Sequence, residues 1–472
     1  VSRRFRERGQ ALILIAAAFV GLAAFIGLAV DGGILFTDIG HLRRAVDAAA
    51  LAAANQYRRN VPPSDLEHAA QELLQLNNLS SATAQVKVCD WNGAYPSYMD
   101  VSLCPAGFPT PTERYKKKVR VQGFMPVKFA FLPIIGIREI TIHADAVAEA
   151  AALDLVLVID ESESMAYDGS DTDPVTCRNG VPNNDPSYGC LPFKYVASAA
   201  QSFVAQMYFP FDRVSVIGFS SVPTTSSDPD FTHLTGNGTT VTNAIIAMNP
   251  KPLPACPGYA ASGDVSGCMS TAIADGLRSA RNELASNGDQ ESVWVVVLLT
   301  DGAANQAQDY SAPGPGISWF CPGTDGNPTW VPPYCRDGDF SQDNPGAYGY
   351  DAEDAARDEA DLIGCRANGD PDQSSYCSSN GIDGVGALMF TIGLGDKVIN
   401  DPDDANAGER LLRQIAAIGD DGDPTTNPCS SAPTSTLGSP QSCGDYYFTP
   451  TGTGLGPVFD DIAKRIFTRL TQ

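Results

Sequence analysis

The sequence predicts an α/β protein: a mainly parallel central sheet flanked by helices, preceded by a transmembrane helix and a small α+β stem region. Three observations carry this reading. The run from Ala11 to Val30 contains no charge, and about 20 apolar residues are enough for a helix to cross a bilayer. Between Ala84 and Ala151 the hydrophobic period is two, that of a half-buried strand. From Leu153 onward, nearly continuous apolar strands alternate with helices, the pattern of a parallel sheet covered on both faces.

The elements follow in chain order. Arg3, Arg4, Arg6 and Arg8 precede the apolar run, so residues 1–8 are expected in the cytoplasm and the remainder outside, on the cell surface or in the periplasm. A cleavable signal peptide has a shorter apolar core and a small-x-small exit; this run is longer and meets Asp31 directly. A single-pass anchor is therefore the reading, with a cleaved signal or a buried core helix as the alternatives. The Ala-rich stretch HLRRAVDAAALAAANQY continues the helix until Pro62 and Pro63 interrupt it. The stretch SDLEHAAQELLQLNN restarts it, with Ser64 as N-cap and Glu67 at capping-box spacing. QVKVCDW, MDVSLC, KKKVRVQGFM and REITIHADAVAEA read as strands, and the basic run Arg114–Lys118 reads as a solvated strand end. The domain plan is a cytoplasmic end at 1–8, a helix and Ala-rich stem at 9–58, a small α+β region at 59–151 and an α/β domain at 152–472.

Within the last domain LDLVLVID, RVSVIGFS, SVWVVVLLTD and GVGALMFTIGLGD read as strands. KYVASAAQSFVAQMY, TAIADGLRSARNEL, DAEDAARDEADLIG, NAGERLLRQIAAI and PVFDDIAKRIFTRLTQ read as helices. Long irregular inserts at 165–192, 250–268, 303–350 and 419–444 separate them. The 12 cysteines form neighbouring couples 12 to 15 positions apart: 89/104, 177/190, 256/268, 321/335, 365/377 and 429/443. No C-x-x-C knuckle is present, which disfavours zinc. Local disulfides tying down the inserts are expected, and with them an oxidising compartment. The net charge of -24 disfavours nucleic acid, which needs a basic face.

In open α/β sheets ligands bind beyond the carboxyl ends of the strands. The first strand of the α/β domain ends in Asp160-Glu161-Ser162-Glu163-Ser164, the strand VWVVVLLTDG ends in Asp301, and STAIADGL opens a helix with Thr271. Two carboxylates and three hydroxyls are hard oxygen donors suited to magnesium, manganese or calcium. Because the hydroxyls are neutral, such a cation stays electrophilic, and a partner's carboxylate can complete its octahedron. Both carboxylates are expected at strand ends within reach of solvent.

DLVLVIDESESM, STAIADGL and VVVLLTDG together resemble the metal-ion-dependent adhesion site of von Willebrand factor A domains, across residues 153–472. The resemblance implies a Rossmann-like domain with Asp160, Ser162, Ser164, Thr271 and Asp301 around a divalent metal, and a protein ligand bound through a metal-bridged carboxylate. The stretch RGQALILIAAAFVGLAAFIGLAVDGGILF followed by LRRAVDAAALAAA resembles Tad-type (Flp) pilus-assembly proteins of the TadE and TadG kind, over residues 6–56. The TadG kind often adds a C-terminal von Willebrand A-like domain. That implies contacts with pilin or other pilus-assembly subunits through the N-terminal helix. Prepilins of that machinery carry Glu five residues after the cleavage glycine, whereas Leu14 stands there after Gly9.

Enzyme readings find little support. No phosphate-cradling G-x-x-x-x-G-K-[ST] accompanies the VVVLLTD strand. Ser162 stands where an aspartyl phosphotransferase wants a second Asp. No G-x-S-x-G occurs, because GFSSV ends in Val222, and His41, His68, His143 and His233 form no H-E-x-x-H. His233 is expected as a partly buried strand residue, and the acidic loops at 337–339 and 420–423 as solvated turns. The sequence thus points to a non-enzymatic, membrane-anchored adhesion or pilus-assembly protein. Its alternatives are a structural assembly component whose domain only packs, and an extracytoplasmic metal-dependent hydrolase.

Overall fold

The computed structural model describes residues 4–57, 61–109, 114–166, 193–220, 222–250, 271–305, 307–309, 318–319, 350–400, 406–426 and 440–469. The chain divides into two compact units, Val1–Ala150 and Ala151–Gln472.

In the first unit the apolar run and the Ala-rich stem form one helix, α1 (Arg4–Asn55). From Leu12 to Ile26 the helix is exposed throughout, whereas Leu42, Ala45, Val46, Ala49, Ala50, Ala53 and Ala54 are buried. These residues recur at the three- and four-residue spacing of one helical face. They pack on an antiparallel sheet of β1 (Thr83–Val88), β2 (Lys117–Lys128) and β3 (Glu139–Ala150), in the order β1-β2-β3. Gly123 of β2 lets the helix approach closely, since a Cβ there would lie 2.4 Å from Val46 Cγ2. Helix α2 (Pro63–Leu76) departs from the expected capping. It starts at Pro63, so Ser64 lies inside its first turn and no side chain caps it. Glu67 and Gln71 instead turn to the edge of β1. Glu67 accepts from the Val86 amide at 3.1 Å, while Gln71 accepts from the Ala84 amide at 2.8 Å and donates to the Ala82 carbonyl at 2.9 Å. That edge is thereby occupied. MDVSLC, expected as a strand, is a 3₁₀ turn over Val101–Leu103. Asp100 accepts from the Ser102 amide there, and the Cys89–Cys104 disulfide pins the turn.

The second unit is built on a seven-stranded sheet. Its strands are β4 (Ala152–Asp160), β5 (Arg213–Phe219), β6 (Thr232–Thr235), β7 (Ser292–Thr300), β10 (Leu388–Leu394), β11 (Gln441–Cys443) and β12 (Tyr446–Thr449), in the order β11-β12-β10-β7-β4-β5-β6. A separate two-stranded pair, β8 (Gln308–Asp309) and β9 (Ser318–Trp319), stands outside it. The five inner strands are parallel and the two edges antiparallel. Helices α3 (Phe193–Val204), α4 (Gly238–Ala247) and α9 (Leu455–Arg469) cover one face. Helices α5 (Ile273–Asn287), α6 (Ala352–Gly364) and α8 (Ala407–Asp421) cover the other. Alternate β4 residues feed the two cores: Leu155, Leu157 and Ile159 one, Val156 and Val158 the other.

A short helix, α7 (Ser375–Asn380), carries Cys377 of the Cys365–Cys377 disulfide, and Ser374 caps it. Cys443 is also disulfide-bonded. The remaining couples have members outside the described residues, as do most of the inserts and the acidic loop at 337–339. Near 420–423, Asp423 accepts from the Thr425 amide at 2.9 Å and Asp421 from the Thr426 hydroxyl at 2.7 Å, a self-contained turn. His233 lies on β6 as expected, but its side chain is 60% exposed, with Nδ1 2.8 Å from Glu283.

Cys365–Cys377 closes a 12-residue separation over a buried pair. Replacing both cysteines by alanine in the full chain should lower its unfolding free energy by about 2–4 kcal/mol. An unchanged urea midpoint would show that the crosslink contributes nothing.

Candidate metal centre

Parallel pairing of β4 with β7 runs in register from Ala152 opposite Ser292 to Ile159 opposite Leu299. The two strands therefore end side by side, and Asp160 meets Thr300 and Asp301. Thr300 Oγ1 donates to Asp160 Oδ2 at 2.6 Å. The chain turns immediately after Asp160, whose Oδ1 accepts from the Ser162 amide at 2.8 Å. That turn leads into a 3₁₀ segment, Glu163–Ala166, carrying Ser164. The Ser162 and Ser164 hydroxyls are 2.9 Å apart, and Ser164 Oγ donates to Asp301 Oδ1 at 2.7 Å. Four of the five expected residues thus form one connected cluster across two strand ends.

Thr271, the fifth, sits just ahead of α5. Its amide donates to Asn305 Oδ1 at 2.7 Å and its carbonyl accepts from the Asn305 amide at 3.3 Å. The neighbouring Ala272 amide donates to Ser220 at the end of β5. A Cβ on Gly302 would lie 3.8 Å from the Thr271 hydroxyl, so that hydroxyl borders the turn that carries Asp301.

One expectation needs correction. The two carboxylates are not at open strand ends: Asp160 is 0% exposed and Asp301 5%. Both strands are inner strands of the sheet, each with a neighbour on either side. Burial has an electrostatic consequence. The Asp301 carboxyl is pushed up to about 7, first by burial and then by the negative charge of Asp160, against the pull of the Ser164 hydroxyl and Lys397. Asp160 is also raised, chiefly by burial, against hydrogen bonds from Thr300 and Ser162. Two desolvated carboxylates in one cluster repel each other and favour a shared proton or a cation.

The donor set fits a hard divalent ion: two carboxylates and three hydroxyls, all oxygen. Among the described residues no three His, Cys, Asp or Glu side chains group as metal ligands; this cluster reaches its donor number through hydroxyls. Sequence reading missed four participants. Thr300 orients Asp160, Asn305 anchors Thr271, and Lys397 opposes the charge on Asp301 from the turn after β10. Glu161 is fully buried and accepts from the Asn249 amide at 2.9 Å. A Cβ on Gly218 would lie 2.1 Å from Glu161 Oε2, so a side chain on β5 there would displace the Glu161 carboxylate. The hydroxyl before Asp301 was the only legible signal; the others depend on chain segments remote in sequence.

Residues 155–303 match the family model of the von Willebrand factor type A domain, and the chain contains such a domain. No curated protein matches the chain. Among solved structures, the chain is similar to the vWF domain of the type V pili tip protein Mfa5 from Porphyromonas gingivalis, with 16% identity and a TM-score of 0.34, covering 69% of this chain and 98% of that one. It is also similar to the pilus adhesin SpaC from Lactobacillus rhamnosus GG, with 16% identity and a TM-score of 0.37, covering 76% of this chain and 34% of that one. A third is a PilB minor pilin from Streptococcus sanguinis, with 14% identity and a TM-score of 0.38, covering 83% of this chain and 80% of that one.

The raised Asp301 carboxyl sets a pH dependence. The folded state binds its proton more tightly than the unfolded chain, whose value is the ordinary 3.8. In chelator, stability should therefore be greatest below that value, decline as pH rises, and level off above about 7. Asp301→Asn should flatten the profile. Equal slopes in the two proteins, measured by urea unfolding across this range, would contradict the assignment.

Proposed function

We propose that this chain, with its von Willebrand factor A domain, is a membrane-anchored extracytoplasmic protein that binds a protein ligand through a divalent cation held by Asp160, Ser162, Ser164, Thr271 and Asp301. Magnesium is the cation of choice, with manganese or calcium as substitutes. The supporting observation is the convergence of Asp160, Ser162, Ser164 and Asp301 at the carboxyl ends of adjacent inner strands, with the Thr271 hydroxyl bordering the turn that carries Asp301. The cation, when bound, offers an electrophilic position to a carboxylate of the partner. The protein's own part is to hold the donors in place. Thr300 and the Ser162 amide fix Asp160, Ser164 fixes Asp301, and Asn305 fixes the Thr271 backbone. The role is binding, not catalysis.

Helix α1 is the membrane anchor in this reading. It is long and apolar enough to span, and its apolar segment is unburied, as a lipid-facing helix would be. The likeness of residues 6–56 to TadE and TadG segments extends the proposal to pilin or other pilus-assembly subunits as partners of this helix. A structural reading draws on one observation: both carboxylates are buried and hydrogen-bonded by neighbouring hydroxyls, so the cluster is also coherent as a packing element of an assembly.

Calorimetry of the wild type, Asp160→Ala and Asp301→Ala, with magnesium and with chelator, separates the two. Magnesium at about 100 times its Kd should stabilise the wild type by about 2.7 kcal/mol, and the two variants hardly at all. Thr271→Ala should lose less, since water can replace a neutral oxygen. Metal-dependent capture of an envelope protein should vanish with Asp160→Ala. The absence of any magnesium response in the wild type would favour the structural reading, and an equal response in wild type and variants would place the cation elsewhere.

Orientation is tested separately. Protease added to spheroplasts should digest the A domain; an intact domain would reverse the topology.

A further inference from the structure

The hairpin joining β2 to β3 ends in an unusual tip. Between Lys128 and Arg138 the sequence reads FAFLPIIGI, nine residues without a charge or polar side chain. Ile134 is 84% exposed, Ile135 72%, Ile137 48% and Phe131 43%. Such a cluster on a loop tip exceeds what scattered surface apolar residues explain. The amides of this tip are largely satisfied. The Asp31 carboxylate, fully buried on α1, accepts from the amides of Ala130 at 2.7 Å, Phe131 at 3.0 Å and Leu132 at 2.7 Å. Phe129 donates to the Arg138 carbonyl, Ile134 to that of Phe131, Gly136 to that of Pro133 and Ile137 to that of Leu132. Pro133 has no amide to satisfy. A tip with apolar side chains outside and its amides hydrogen-bonded inside suits the headgroup–acyl boundary, where fewer unpaired backbone groups have to leave water.

Position completes the argument. Phe131 packs on Gly27, where a Cβ would lie 2.9 Å from that of Phe131. Gly27 is three residues inside the end of the apolar run at Val30, about 4.5 Å along the helix. The exposed tip is therefore continuous with the exposed surface of α1, and Lys128 and Arg138, both exposed, flank it as cations flank membrane-seated segments.

We infer that the hairpin tip 129–137 is a second membrane contact, seated at the headgroup–acyl boundary of the leaflet where α1 emerges, with Lys128 and Arg138 at lipid phosphates. Asp31 and Gly27 lock the tip to the helix, so that anchor and hairpin enter the bilayer as one piece. This rests on the reading of α1 as the anchor. Its occupant is lipid, not a second protein chain.

The test uses the full chain in vesicles of phosphatidylcholine and phosphatidylglycerol, with and without bromine on the acyl chains near the headgroup. Ile134→Trp is compared with Leu28→Trp on the exposed helix surface, after subtraction of the emission of the unchanged chain. Both substitutions are on exposed positions, so folding is not at stake. The inference expects bromolipid to quench both tryptophans and aqueous acrylamide to spare both. Quenching of Leu28→Trp alone would overturn the hairpin contact and leave the anchor standing. Quenching of neither would overturn the anchor and the inference with it. If Ile134→Trp escapes both quenchers while Leu28→Trp is quenched by bromolipid, a protein surface covers the tip and the lipid assignment is wrong.

Discussion

The in-register parallel pairing of β4 with β7 is the constraint on which the candidate metal centre depends. It makes the strands end side by side, so that Asp160 faces Thr300 and lies next to Asp301. A register shift of one residue would turn the Asp160 side chain to the opposite face of the sheet. Register is held by two cores at once, because successive β4 residues enter opposite hydrophobic clusters. It is also held at the other end of the strand, where Arg213 Nε donates to Asp154 at 2.9 Å and the Asp289 amide donates to the same carboxylate at 2.8 Å. The positions of the site carboxylates thus follow from packing along the whole strand.

Burial then gives the cluster its chemistry. In water two carboxylates would ionise independently; here desolvation raises both, and the charge of Asp160 further disfavours that of Asp301. The Ser164 hydroxyl and Lys397 oppose the rise without returning Asp301 to its ordinary range. A divalent cation, in the proposed reading, would resolve the same conflict with more charge than a proton carries. Neutral hydroxyls at Ser162, Ser164 and Thr271 would then keep the total negative charge low, as an electrophilic, partner-accepting ion requires.

The N-terminal unit solves a different problem. Helix α1 is one continuous element whose first part is exposed among the described residues and whose second part packs on a sheet. The β2–β3 hairpin runs back along it. From Val46 to Asp31 the helix covers about 22 Å, and from Gly123 to Ala130 the strand covers about 23 Å. The matched lengths bring the tip to Asp31, where one carboxylate serves three consecutive amides.

The alternation of apolar strands and helices, the uncharged run Ala11–Val30 and the three oxygen-rich segments were legible without coordinates, because each is a local pattern with its own periodicity or spacing. The couples Cys89–Cys104 and Cys365–Cys377 were legible for the same reason: neighbours in sequence close short loops. Ser64 was misread because a capping pattern is local while the helix start was set by Pro62 and Pro63, and Glu67 found its partner on β1. MDVSLC was misread because its alternation is local, whereas the Asp100 cap on the Ser102 amide and the Cys89–Cys104 disulfide hold the segment in a 3₁₀ turn. The roles of Asn305, Lys397, Glu161 and Asp31 were not legible, since each acts on residues far away along the chain. Above all, the burial of Asp160 and Asp301 belongs to the tertiary structure. A sequence states which residues end a strand, but only the packed sheet decides how much water and charge those residues meet.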